Sequence, residues 1–120
     1  MVRSTTEKEK RWDELNRLEQ ELSEKEYDLR HERRLLKEFE ADYGYAGSLT
    51  CRYVEETATY FQGSQYANQI ACEEETVHRE FYTLMETLAE QDQQLQKDIG
   101  RLEDEITQVI LDKRRLSLED

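Results

Sequence analysis

Two histidines and two cysteines are the residues of this 120-residue chain best equipped for chemistry, and their spacing decides what each could do. Glu75-Thr76-Val77-His78 is a Glu-x-x-His, half of the carboxylate–histidine set that holds paired irons inside helical bundles. Asp28-Leu29-Arg30-His31 offers a similar half-site. The helical register derived below leaves His31 and His78 roughly 20 Å apart along a hairpin. No carboxylate is embedded in the apolar seam beside either one, so both histidines are expected on solvated faces and no metal is expected. Cys51 and Cys72 stand near mirror positions in the chain. A disulfide between them is open to the protein in an oxidising compartment, and two reduced, half-buried thiols are the alternative. There is no Ser/His/Asp constellation, Gly-rich phosphate loop or Cys-x-x-Cys. The many carboxylates fall on exposed faces, where proton affinities are rarely tuned. The chain reads as no enzyme, with no cofactor.

The elements that would position these residues follow from a repeat. Leu15, Leu22, Leu29, Leu36 and Tyr43 recur every seven residues, and so do Phe81, Leu88, Leu95, Leu102 and Val109. The two series mirror one another about residue 62, so antiparallel helices folded back at Phe61-Gln62-Gly63 bring both seams level. The first helix is expected to start near Ser4–Thr6, where Thr6-Glu7-Lys8-Glu9 fits a capping box. Its seam runs through Leu15, Leu18, Leu22, Leu29, Leu36 and Phe39, with Lys25 and Glu32 interrupting it. Gly44-Tyr45-Ala46-Gly47 predicts a kink or break, because each glycine costs about 1 kcal/mol relative to alanine in a helix. A competing layout makes 48–61 a short middle helix. Gly63 suits the position just past a helix end, and Ser64 can cap the next helix. That helix runs to about Leu116, with Lys113, Arg114 and Arg115 complementing its dipole. The fold class is all-α: an elongated, coiled-coil-like antiparallel helical hairpin, residues 1–120 as a single domain, its apex near 61–63 and a kink or break near 44–47.

Composition agrees and narrows the function. The chain has no proline, four glycines and 38% charged residues, which suits long helices. Its apolar runs are too short to span a bilayer, and the N-terminus lacks a signal-peptide stretch. A cytoplasmic location is therefore expected. Net charge is −12. Residues 41–100 hold 11 acidic and 3 basic groups, which disfavours nucleic acid and anionic membrane. A protein partner remains. Seven tyrosines either widen the hairpin core or mark an interface, where tyrosine is enriched. The expected partner interface is Leu88, Leu95, Leu102 and Ile106 with Tyr45 and Tyr53. Self-association in the absence of a partner is left open.

With the apex placed, the turn and arms resemble a known family. A helical hairpin of about this length turning at Trp-x-Gly is the hallmark of the WXG/ESAT-like proteins of Gram-positive type VII secretion, and Phe61-Gln62-Gly63 resembles that turn with Phe for Trp. The similarity is more specific to the small helical targeting factors (Lap family) that accompany LXG toxins. It is carried by Tyr60-Phe61-Gln62-Gly63, Gln65-Tyr66-Ala67 and Leu88-Ala89-Glu90-Gln91-Asp92-Gln93-Gln94-Leu95, within residues 36–106. The resemblance implies a targeting partner or chaperone that binds the helical LXG domain of a secreted toxin alongside a second small helical protein, and that is co-exported or stays behind. Family members that display an export signal carry an aromatic-x-x-x-acid near the C-terminus. Here the match, Tyr82-Thr83-Leu84-Met85-Glu86, lies well before the end, which points to the member that completes the complex. Two other readings stand beside it. One is a prefoldin-like chaperone subunit with residues 44–66 as a β-hairpin, and the other is a homodimeric coiled-coil spacer.

Overall fold

The structure, a computed structural model, describes residues 5–119. Two helices, α1 (Thr5–Tyr60) and α2 (Ala67–Ser117), form an antiparallel helical hairpin. No strand occurs among the described residues. Threonine, usually a poor helix former, is accommodated here with its hydroxyl bonded back to the carbonyl one turn earlier. Thr50, Thr57 and Thr59 on α1 and Thr76, Thr87 and Thr107 on α2 all do so, at 2.9–3.0 Å. α1 already includes Thr5 and Thr6, so the expected capping box begins too late; Ser4 lies outside the described residues.

The apex is where the sequence placed it. Gly63 has φ of 83°, a conformation that only glycine adopts without strain. The Phe61 N–H donates to the Thr57 carbonyl at 3.1 Å and closes α1. The Tyr66 N–H then donates to the Ser64 hydroxyl at 3.2 Å, which makes Ser64 the cap of α2. The Phe61 ring meets Tyr60 and Tyr66 edge-on, with centroids 5.1 and 6.4 Å away.

Of the kink or break expected at 44–47, the break is absent, and with it the three-helix layout: α1 is continuous helix through both glycines. The reason is close approach. A Cβ on Gly47 would stand 2.0 Å from Phe81 Cε2, and one on Gly44 would stand 3.5 Å from Met85 Cε. The glycines are a notch for an α2 aromatic, and the packing of that ring offsets their helix penalty.

The chain divides into two compact units, Met1–Arg33 with Gln94–Asp120 and Arg34–Gln93. In the first, Leu15, Leu22, Val109 and Leu116 form the core, flanked by Leu102 and Ile106. Leu18, expected in this seam, is 42% exposed. The seam's alternate position is instead four residues after each leucine, at Glu19 and Glu26, and it is closed by ion pairs. Lys113 Nζ lies 3.0 Å from Glu19 Oε2 and 4.9 Å over the Trp12 ring. Arg30 bridges Glu26 on its own helix and Glu103 across the hairpin.

The second unit repeats the scheme. Leu88 and Cys51 are buried, and Tyr43 stacks on Phe81 at 6.0 Å. Its charged layer is Lys37, whose Nζ is 3.2 Å from Asp92 and 3.9 Å from Glu40. Asp92 is only 4% exposed. Within each unit, facing pairs such as Lys8–Glu119, Glu19–Lys113, Lys37–Asp92 and Glu55–His78 centre on about residue 65 rather than 62. The turn occupies residues 61–66, so its midpoint moves. Each seam residue then falls about level with the one a heptad beyond its mirror partner, Leu15 with Leu116 and Leu22 with Val109, the four that form one buried cluster.

Candidate protein-binding face

Along the outer side of α1, residues 35, 39, 42, 46, 49, 53, 56 and 60 alternate four and three apart, the spacing of a second coiled-coil seam. Most are apolar: Leu35, Phe39, Ala46, Leu49, Tyr53 and Tyr60. Nearly every one directly precedes an inner-seam residue (Leu36, Glu40, Tyr43, Gly47, Val54, Phe61), so the two seams lie about 100° apart around one helix. Leu49 is 43% exposed, Phe39 52%, Tyr53 70% and Tyr60 83%. A helix apolar on one stripe buries that stripe; one apolar on two has a second surface to cover. The whole stripe falls within the unit Arg34–Gln93. That segment carries 12 acidic and 4 basic side chains, −8 of the net −12.

The expected interface residues divide between the two seams. Leu88 is buried and Leu95, Leu102 and Ile106 are half-buried, all on the α2 face that closes the hairpin. Tyr45 and Tyr53 are exposed, and only Tyr53 falls on the stripe. The residues missed were Leu35, Phe39, Ala46, Leu49 and Tyr60, whose signal was the four-and-three spacing itself. At the turn, Phe61 is half-buried while Gln62 and Gly63 are exposed.

The chemical candidates come out as follows. Cys51 and Cys72 are both free thiols, the first buried and the second exposed. His31 is exposed, whereas His78 is half-buried rather than on an open face. Its Nε2 lies 3.3 Å from Glu55 and 4.0 Å from Glu74, and its ring stacks on Tyr82 at 6.3 Å. Glu75, its expected partner in the Glu-x-x-His, points to solvent. Among the described residues no three His, Cys, Asp or Glu side chains gather closely enough to hold a metal ion. No helix among them is long and apolar enough to cross a membrane. Comparison of the chain with family models, curated proteins and solved structures finds no match.

Proposed function

We propose that this protein is a non-enzymatic adaptor, a helical hairpin that docks on the helical LXG domain of a toxin exported by Gram-positive type VII secretion. The observation that carries the docking is the outer stripe of α1. Its aromatic side chains remain exposed after the hairpin has closed on its own inner seam. The aromatic-Gln-Gly turn, with Gly63 at positive φ and Phe61 packed at the apex, supports the choice of partner class. The prefoldin-like reading loses its structural basis, because residues 44–60 are helix where it needs strands.

The test is isolation of the tagged protein from its native cell, with mass spectrometry of what accompanies it, for the wild type and for Leu49→Asp/Tyr53→Asp. Both substituted residues are exposed, so the variant should keep its helical circular dichroism. Leu88→Asp, in the inner seam, should not, and serves as the unfolded control. An LXG-domain toxin and a second small helical protein should accompany the wild type and be lost from the stripe variant. Prefoldin-type subunits, a broad spread of unfolded clients, or no companion at all would overturn the reading.

A further inference from the structure

Two positions of the outer stripe are not apolar. Asp42 and Glu56 occupy seam positions fourteen residues apart, two full heptads, or about 21 Å along α1. Both are exposed, and neither has an ion-pair or hydrogen-bonding partner for its carboxylate among the described residues. Covering the stripe desolvates both, and a desolvated carboxylate without a cation is costly.

A second copy of the chain does not solve this. In antiparallel pairing centred on Leu49, Asp42 of each copy faces Glu56 of the other; in parallel pairing each acid faces itself. A half-heptad shift sets Asp42 against Tyr53 and Glu56 against Phe39, leaving both charges unpaired. Each copy also brings the −8 of residues 34–93 to the contact. We propose that the stripe takes a single amphipathic helix from a different protein, whose apolar seam carries two Lys or Arg residues fourteen positions apart. The pairing works in either chain direction, because two cations at that spacing meet both acids whichever way the helix runs. The two acids then fix register: a slip of one heptad takes both cations off the acids and sets at least one of them against Leu49. This rests on the adaptor reading and adds the chemistry of its partner.

The probes are labelled synthetic helices of about four heptads with a Leu/Ile seam. One carries two Arg fourteen positions apart, a second two Arg seven apart, and a third two Glu fourteen apart. Binding to the full chain is read by fluorescence anisotropy, with sedimentation of the protein alone. The first probe should bind at least about tenfold more tightly than the others. Asp42→Arg/Glu56→Arg, an exposed pair whose change leaves the inner seam intact, should reverse the preference toward the Glu probe. Equal binding of all three, binding of none, or an unreversed preference would overturn the proposal. So would a dimer of the protein alone that Tyr53→Asp dissolves, which would make a second copy the occupant. None of these results decides the adaptor reading, which stands or falls on the native-cell isolation.

Discussion

Gly47 and Gly100 are both helical glycines, and the same substitution should act on them in opposite directions. At Gly100 nothing lies within 4 Å of an added Cβ, so Gly100→Ala gains only helix propensity and should stabilise by about 1 kcal/mol. At Gly47 the Phe81 ring occupies the space, 2.0 Å from the new atom. Gly47→Ala must push that ring out of its notch, and overpacking of this kind costs about 1–3 kcal/mol. Urea unfolding followed by circular dichroism should show the two midpoints moving apart. Propensity alone could not tell a break at this position from continuous helix. A glycine that breaks a helix and one that admits an aromatic look alike until the opposite helix is in place. The exposed acids at 42 and 56 escaped notice for a related reason, since surface carboxylates are common and only the stripe around them gives these two meaning.

At the scale of the element, the charged layers of the inner seam set register more than stability. Asp92 is nearly buried against a half-exposed Lys37. Replacing a whole buried ion pair with well-packed apolar residues is often neutral or stabilising, and removing one partner is costly when it leaves the other buried; here Lys37 is half-exposed and can turn back to water. Asp92→Leu should therefore leave the thermal midpoint unchanged or raise it. The repeating leucines would then have fewer reasons to prefer one alignment, and distances between spin labels placed across α1 and α2 should broaden or split. An unchanged single distance, with a large loss of stability, would contradict this. Both helices and their turn were legible in the sequence because Leu15, Leu22, Leu88, Leu102, Gly63 and Ser64 each have one dominant use. The alternate seam position was not. Glu19, Glu26 and Glu40 occupy it, and a search for apolar residues passes to their neighbours Leu18 and Phe39, which face outward. The expected interface mixed the two seams for the same reason, because leucines at heptad spacing on α2 serve the hairpin as well as they could serve a partner.

For the whole molecule, the uneven charge has a kinetic consequence. Residues 34–93 hold −8 of −12 together with the apolar stripe, so a partner bearing Lys or Arg is drawn toward the face it must meet. Electrostatic steering of this kind raises association rates by about 10–1,000-fold and fades as salt screens it. If the proposed docking holds, stopped-flow association of the protein with a captured partner should slow by on the order of tenfold between low and high salt, with dissociation much less affected. A rate indifferent to salt would mean that the charge serves solubility alone.

The turn has one further consequence, which concerns the order in which the hairpin forms. Contacts beside Gly63 join residues a few positions apart, whereas Lys8 and Glu119 are 111 positions apart in the chain. Loops near the turn close first because they sacrifice the least chain entropy. The pairing must then zip outward from the apex, with the free ends joining last and opening first. Gly63→Ala places a side chain in a backbone conformation costing about 1–2 kcal/mol, at the point where that zipper starts. Its penalty should appear almost wholly as slower folding, with the unfolding rate nearly unchanged. Until the zipper has run, α1 carries two bare apolar faces instead of one. A partner that arrives early therefore competes with α2 for the same helix, and the speed of this turn decides which face it finds.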